Sequence, residues 1–358
     1  MGDRQVGRST RRFRPQRLVI LILIGVAALC LWLLPHSGGA VPDAKPSAYY
    51  WRTTYRLSAA ERGFITAHRI RKLYMRFFDV VMRGGDIEPN ATIQFVGRPD
   101  TALEVIPTVF IDEPCLHGDI SRIAPLLVRR VLQICATNDV APPREVQIDC
   151  DYTARTRQAY YSFLRTLRRS MAGTPLSRLS VTVRLHQLSM PVPPSVDYGV
   201  LMMYNTGDVS DYRCKNPILS LSAVKPYLRY LAGYRLPLCA AYPNFQWQLL
   251  FRRTQFQAIL HSEDLSDSTV YRRVSRGKYL VVSSRDLPAF IGDAGDDCHI
   301  RVGDSVFIKS PTAAEIMSVK RALESRRRHI HDQVIIYDIN SQNIQRYNFQ
   351  EYEKIIHY

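Results

Sequence analysis

Short apolar runs with a strand-like alternation recur along the chain from residue 47 onward, and stretches with helical spacing separate most of them. Alternating apolar and polar residues predict strands, whereas apolar residues three and four positions apart predict helices. The predicted strands are 48–55, 72–81, 105–112, 145–151, 179–188, 198–205, 236–242 and 333–340. The predicted helices are 59–68, 120–137, 154–171, 220–233, 246–261 and 313–329.

This succession of strands and helices predicts the fold class. Helical connections favour parallel pairing with the helices outside the sheet, and eight strands suit an α/β fold, a TIM-like (β/α)8 barrel over residues 47–358. The alternative is an open doubly wound sheet, but the glycine-rich phosphate turn of that fold does not follow the first strand. Residues 262–310 fit neither pattern, and we interpret them as an insertion with strands at 276–283 and 304–309.

The first 46 residues have a different pattern. Residues 1–17 contain six arginines and one acid, residues 18–34 form an uninterrupted apolar run, and residues 35–46 have the composition of a linker. At about 1.5 Å per residue the run reaches roughly 25 Å as a helix, enough for a thin bilayer. Positive charge before it predicts a signal anchor in a bacterial inner membrane, with the barrel in the periplasm. Cleavage near Ala40, followed by secretion, is the alternative.

Charge narrows the class of partner. The chain has 48 Lys and Arg against 32 Asp and Glu, a net charge of +16, and removal of residues 1–40 leaves 42 against 31, or +11. Part of the basic excess is therefore explained by membrane topology. Export and the lack of a helix-turn-helix or zinc-finger pattern disfavour nucleic acid as a partner. No C-x-x-C pair occurs, and we predict neither a metal site nor a cofactor.

The strand at 145–151 carries the most informative polar residues. If its apolar residues at 146, 148 and 150 face the helices, Asp149 and Asp151 point into the barrel about 6–7 Å apart. Repulsion and burial then raise the pKa of at least one carboxyl group, so that one acid and one base can coexist. Such a pair suits cleavage of a glycosidic bond. The alternative is that Asp151 caps the next helix and Asp149 pairs with an arginine.

Other predicted strand ends supply companions to these acids. Tyr204 is the third candidate for catalysis, because its phenol can stabilise charge on a substrate. The candidate substrate-binding residues are polar residues near strand ends, or aromatic rings on which a sugar can stack. They are Arg184, His186, Asn205, Asp208, Trp51, Tyr242, Trp247, Asp79 and Asp112. An ordinary turn or core contact is the alternative for each.

Three segments resemble an uncharacterised bacterial family of exported proteins. They are KLYMRFFD at 72–79, VQIDCDYTARTR at 146–157 and GVLMMYNTGD at 199–208, and the likeness covers most of residues 47–260. This resemblance implies a barrel-like fold and no established activity.

A more distant resemblance is to the chitinase-like glycoside hydrolases, whose fourth strand carries Asp-x-x-Asp-x-Asp-x-Glu with the Glu as general acid. Asp149 and Asp151 match the two central acids, and Tyr204 matches a stabilising tyrosine of the sixth strand. Thr153 stands at the Glu position and Val146 at the first Asp position. If this chain is catalytic, Asp151 or an acid from another strand must therefore supply the proton.

Two hypotheses follow. One is a glycoside hydrolase-like protein that acts on an envelope or extracellular polysaccharide by carboxylate acid–base chemistry; the other is a non-catalytic barrel that binds a glycan or a protein there. An enzyme should show its acids roughly 5–10 Å apart around an open cleft. A binding module should show them neutralised by Arg184 or Arg76. An adaptor held on anionic lipid by basic surfaces is a third, weaker idea.

Overall fold

The computed structural model describes residues 39–260, 263–291 and 294–358. The predicted basic tail at 1–17, the predicted membrane segment at 18–34 and the start of the predicted linker lie outside these residues. Within the described ranges, none of the helices has the length and apolar character needed to cross a membrane.

The strands are numbered in chain order. They are β1 Ser47–Tyr50, β2 Thr54–Tyr55, β3 Lys72–Arg83, β4 Asp86–Asn90, β5 Gln94–Phe95, β6 Glu104–Ile111, β7 Glu145–Cys150, β8 Arg178–Val183, β9 Tyr198–Met202, β10 Leu238–Pro243, β11 Trp247–Arg252, β12 Gln255–Leu260, β13 Tyr271–Ser275, β14 Lys278–Val281, β15 Arg285–Ile291, β16 Ala294–Ile300, β17 Ser305–Lys309 and β18 Val334–Tyr337.

The helices are α1 Ala59–Ala67, α2 Ala124–Thr137, α3 Arg157–Ser170, α4 Leu221–Val224, α5 Leu228–Leu231, α6 Ala313–Glu324 and α7 Phe349–His357. Single 3-10 turns occupy Glu113–His117, Ile120–Ile123, Leu185–Ser189, Lys225–Tyr227 and Asn343–Gln345.

Eight parallel strands close into a barrel in the order β1, β3, β6, β7, β8, β9, β10 and β18. Closure is direct, because β1 pairs with β3 on one side and with β18 on the other. The predicted α/β class and TIM-like barrel are therefore confirmed, and the open-sheet alternative is wrong. Because all eight strands are parallel, their carboxyl ends meet at one edge of the barrel.

Each of the eight predicted strands overlaps a barrel strand. The predicted strand at 179–188 is too long, because β8 ends at Val183 and a 3-10 turn follows. The helix predicted at 220–233 is broken into α4, a 3-10 turn and α5. Helix α1 begins as the pattern predicts, since Ser58 and Glu61 form a reciprocal capping box.

The helix predicted at 246–261 is wrong, because this segment forms the hairpin of β11 and β12. Its apolar residues fit both the helical and the strand spacing. The turn between the strands includes Arg253, whose φ of 55° lies in the left-handed region and outside the range of a right-handed helix. The hairpin belongs to a seven-stranded antiparallel sheet in the order β13, β14, β17, β11, β12, β15 and β16. This sheet runs from Trp247 to Lys309 in the chain, and β14 and β17 match the two strands predicted within the insertion.

Two apolar clusters hold the barrel together. The outer cluster lies between strands and helices, where α3 buries Tyr160, Phe163, Leu164 and Leu167. The inner cluster is rich in tyrosine and includes Tyr49, Tyr74, Tyr198 and Tyr204. The two clusters contain alternate residues of the same strands, as a closed barrel requires.

The amino-terminal end of the barrel is filled by a buried polar network. Glu145 accepts hydrogen bonds from Ser180 Oγ at 2.6 Å and from Tyr198 at 2.5 Å. Lys72 is fully buried, and its Nζ lies 3.7 Å from Asp43 in the segment that precedes β1. Burial raises the pKa of Glu145. The network occupies the end of the barrel opposite the strand carboxyl ends.

Candidate functional site

Strand β7 directs its polar side chains into the barrel. Val146, Ile148 and Cys150 belong to the outer cluster, whereas Gln147 accepts a hydrogen bond of 2.7 Å from the hydroxyl group of Tyr49 in the inner cluster. Strand alternation therefore sets the direction of the acids that follow on the same strand.

Asp149 lies inside the barrel and is only 3% exposed. Thr182 on the neighbouring strand β8 donates a hydrogen bond of 2.6 Å to its Oδ1. Arg184 Nη2 lies 3.8 Å from the same oxygen. Burial raises the pKa of Asp149 to about 6, although Arg184 opposes the effect; the charge of Asp151 adds to it. The carboxyl group is therefore close to half-protonated in mildly acidic solution.

Asp151 follows the end of β7, and its side chain is 50% exposed. It accepts a hydrogen bond from Nε of Arg184. One guanidinium group thus contacts both acids, which we call the arginine clamp: Asp149, Asp151 and Arg184. Arg184 therefore neutralises one of the two negative charges, and the clamp has a net charge of −1 when both carboxylates are ionised.

The backbone after β8 fixes the position of this arginine. Gln187, in the 3-10 turn, accepts a hydrogen bond of 2.8 Å from the backbone N–H of Arg184. Its Nε2 donates to the carbonyl oxygens of Cys150 and Tyr152 at 3.3 and 3.1 Å. Gln187 is fully buried and ties the end of β8 to the end of β7. The sequence analysis missed this residue, because a strand was expected at its position.

Tyr204 lies immediately beyond β9 and faces the clamp. Its ring stacks on Tyr337 with centroids 4.5 Å apart, and Cζ of Arg184 lies 5.9 Å from the ring centre. Burial raises the pKa of Tyr204 well above its usual value, so its phenol is neutral. Tyr337, at the end of β18, is a site residue that the sequence analysis missed; its place within the last predicted strand was the available signal.

A second charged pair is formed by Arg76 and Asp79 on β3. Arg76 Nε donates a hydrogen bond of 2.7 Å to Asp79, and its guanidinium carbon lies 5.6 Å from the ring centre of Trp51. Both Asp79 and Trp51 were predicted as substrate-binding residues. The charge of Arg76, like that of Arg184, opposes the rise in the pKa of Asp149 that burial causes.

A cavity of about 280 Å³ opens beside Asp151. Arg184, His186, Tyr204 and Asn205 line it together with Asp151, so the structure brings five of the predicted residues to one place. Asp151 is the sole acid among the described residues that line this cavity.

Three more predicted site residues do not line this cavity. Asp208 is exposed, and its Oδ1 accepts hydrogen bonds from the backbone N–H and hydroxyl group of Ser210, as in an ordinary turn. Asp112 precedes a 3-10 turn at the end of β6. Tyr242 points away from the barrel mouth into the outer cluster and donates to or accepts from His331 Nε2 at 2.6 Å. Its prediction as a sugar-stacking ring is corrected, because alternation on β10 sends residue 242 outward.

Thr153, at the position where the chitinase-like pattern has its acid, is part of a local turn. Its Oγ1 lies 3.2 Å from Oγ1 of Thr156, and its backbone N–H donates to Thr156 at 3.0 Å. A hydroxyl group cannot act as the general acid there, because its pKa is far above neutrality. The described residues contain no group of three or more side chains suited to hold a metal ion.

A second, larger groove of about 910 Å³ lies between loops at the strand carboxyl ends and the insertion. Trp247 lines it, with its ring 5.6 Å from that of Phe245. The loops after β1 and β18 contribute Arg52 and Arg346. Of the predicted aromatic residues, Trp247 is therefore the one placed on an open groove of this size.

The fold and the position of the site define an α/β barrel whose polar side chains gather at the strand carboxyl ends. Among solved structures, the chain is similar to a chitinase from Bacteroides thetaiotaomicron, with a TM-score of 0.50, 11% identity, and coverage of 87% of this chain and 97% of that chain.

Two further chitinases are also similar. The GH18 chitinase ChiB from Flavobacterium johnsoniae has a TM-score of 0.48 and 10% identity, covering 88% of this chain and 94% of that chain. A chitinase from Chromobacterium violaceum has a TM-score of 0.47 and 12% identity, covering 87% and 99%. No family model matches the chain, and no curated protein matches it in sequence. The likeness shows a chitinase-like barrel fold.

Proposed function

We propose that this protein binds a glycan at the carboxyl end of the barrel without cleaving it by the chitinase-type reaction. The observation that carries the proposal is the arginine clamp, since a single guanidinium group contacts both Asp149 and Asp151. The charge of Arg184 opposes the rise in the pKa of Asp149 that burial causes, and this works against a role of Asp149 as proton donor. Thr153 at the expected acid position points the same way.

The cavity beside Asp151 suits a sugar. Its lining offers a carboxylate oxygen, an amide, an imidazole and a phenol, which together can accept and donate hydrogen bonds to several hydroxyl groups. Tyr204 adds an aromatic ring to the lining, and apolar sugar faces pack on such rings. A volume of about 280 Å³ accommodates roughly one or two sugar units, so we expect recognition of a short stretch of a polysaccharide.

A glycoside hydrolase is the second candidate function, and one observation favours it. The pKa of Asp149 is raised to about 6, which is a useful value for a general acid or base in mildly acidic solution. In that case Asp149 and Asp151 supply the acid–base pair, and Tyr204 stabilises the substrate. For either candidate we propose an envelope or extracellular polysaccharide as the partner, with the protein held in the inner membrane by residues 18–34 or released after cleavage near Ala40.

The test is a panel of polysaccharides incubated with the purified full chain, in which binding and new reducing ends are measured on the same samples. Binding without reducing ends is the expected result. Asp151→Asn should weaken that binding several-fold, because it removes a charged acceptor from the cavity. Asp208→Asn is the matched control, since it makes the same charge change on an exposed turn outside the cavity.

Two results would change the assignment. Reducing ends that disappear in both Asp149→Asn and Asp151→Asn variants would establish the hydrolase instead. Equal binding by Asp151→Asn and the parent protein would place the glycan away from the cavity.

A further inference from the structure

Among the described residues, some of the charged side chains that line the larger groove are paired with an opposite charge, and one is not. Glu263 is paired with Arg285, whose Nη2 lies 2.7 Å away, and Arg52 is paired with Glu61 at 3.0 Å. These ion pairs cancel the charges at two points of the groove. Arg346 differs from these two arginines. Within the part of the chain that the structure describes, its guanidinium group forms no ion pair with a carboxylate within 4.0 Å.

Arg346 is half-buried, and its hydrogen bonding is incomplete. Nη1 donates to Oε1 of Gln246, a neutral amide, whereas the buried Nε atom has no hydrogen-bond partner. Burial lowers the pKa of Arg346, which is the effect of removing water from a cation that lacks a compensating charge. A guanidinium group in this state gains more from an anionic ligand than a hydrated surface arginine does.

The remaining lining indicates what carries that anion. Trp247 provides an aromatic ring, and Gln246, Gln345 and Asn343 provide amide groups along the groove. Rings and amides recognise the apolar faces and hydroxyl groups of sugars. The groove shares no lining residue with the smaller cavity at Asp151, although both open among loops at the strand carboxyl ends.

We propose that this groove binds an anionic polysaccharide, with an acidic group of the sugar chain on Arg346 and a sugar ring on Trp247. The proposal rests on the proposed function, because it names the class of glycan that the barrel takes. A carboxylate is the acidic group that fits the planar fork of arginine in a two-point contact, and phosphate shares that chemistry.

The experiment compares polygalacturonate with its fully methyl-esterified form, which has the same sugars without the charge, at 0.15 M salt on the full chain. The parent protein should bind the acidic polymer more tightly. Arg346→Gln should weaken that binding at least about tenfold, and the esterified polymer should be affected less than about twofold. Arg346→Lys should lie between, since it keeps the charge and loses the fork.

Arg273→Gln is the matched control, because Arg273 is exposed on β13 outside the groove and its loss changes the net charge equally. If both polymers bind equally and Arg346→Gln does not alter their binding, the anionic preference is wrong, whereas the proposed glycan-binding function is unaffected. Loss of binding by Arg273→Gln to the same extent would overturn it too, since net charge alone would then explain the effect. A phosphodiester-linked glycerol polymer bound more tightly than polygalacturonate would identify phosphate as the acidic group.

Discussion

Replacement of Arg184 by glutamine tests the arginine clamp directly. The variant removes the cation that contacts Asp149 and Asp151, and it leaves the backbone hydrogen bond from residue 184 to Gln187 in place. Asp149 then stays buried without its opposite charge. We expect its pKa to rise beyond the value of about 6 that burial produces with Arg184 present.

The expected loss of stability follows from that pKa. An opposite charge within about 4–6 Å lowers a carboxyl pKa by about 1–3, and the partial exposure of Arg184 favours the lower half of that range. Because one pKa unit corresponds to about 1.36 kcal/mol, the loss should be about 1.4–2.7 kcal/mol where Asp149 is ionised in the parent protein. The cost of breaking a fully buried pair, about 3–5 kcal/mol, is the upper bound.

The pH dependence gives the sign. The pKa of Asp149 in the folded protein lies above the ordinary aspartate value of 3.8, so ionisation of this group lowers the free energy of unfolding as pH rises from about 4 through 6. In Arg184→Gln the free energy of unfolding continues to fall to higher pH, because the pKa of Asp149 is higher still. The full loss should therefore appear at pH 8, whereas at pH 5, where Asp149 is largely protonated in both proteins, the loss should be below about 1 kcal/mol.

Urea denaturation at both pH values measures these free energies of unfolding. Arg184→Gln made in an Asp149→Asn background serves as the control, because its cost should be nearly the same at pH 5 and pH 8. An equal loss from Arg184→Gln at both pH values in the otherwise unaltered protein would refute the reasoning, since Asp149 would then not be the group that responds.

Three further predictions concern packing and binding. Gly199→Ala should lower the free energy of unfolding by about 1–3 kcal/mol in urea titrations, because the added Cβ would lie 2.8 Å from Val183 Cγ2, and an unchanged midpoint would contradict this. Tyr242→Phe should cost about 1 kcal/mol by removing the hydrogen bond to His331, while glycan binding measured by calorimetry stays unaltered; weaker binding would return Tyr242 to the site. Trp247→Ala should weaken polysaccharide binding roughly three- to tenfold with the barrel intact by circular dichroism, and unaltered affinity would remove the ring from the groove.

Strand periodicity predicted the barrel well because it reports directly on burial. The segment of β7 has one apolar side and one polar side, and only one orientation places Asp149 inside. The same alternation on β10 places Tyr242 on the outer side of the barrel. Its prediction as a site residue depended on its aromatic character and not on its position in the strand. Alternation was also extended past Val183, where the backbone leaves the strand.

Tertiary pairing decided what periodicity could not. Residues 247–260 have apolar positions compatible with a helix and with a hairpin. The antiparallel pairing of β11 with β17, which joins residues 54 to 62 positions apart in the chain, favours the hairpin. The sequence predicted two alternatives for the acids, an open catalytic pair or a pair neutralised by arginine. The second was available because Arg184 and Asp149 were expected on neighbouring strands. Arg346 was not foreseen, since its importance depends on which charges around it are already paired.

The closing pair of strands has a consequence for synthesis of the chain. Strand β18 completes the barrel between β1 and β10, and the hydrogen bond from Lys45 to Gln333 spans 288 residues. Until β18 has left the ribosome, β1 and β10 are open edges able to pair with other chains. The insertion sheet, complete by Lys309, can fold earlier because its pairings are more local. A translation product that stops between Lys309 and Val334 should therefore be aggregation-prone, and a chaperone that shields sheet edges would act on this nascent chain late in synthesis.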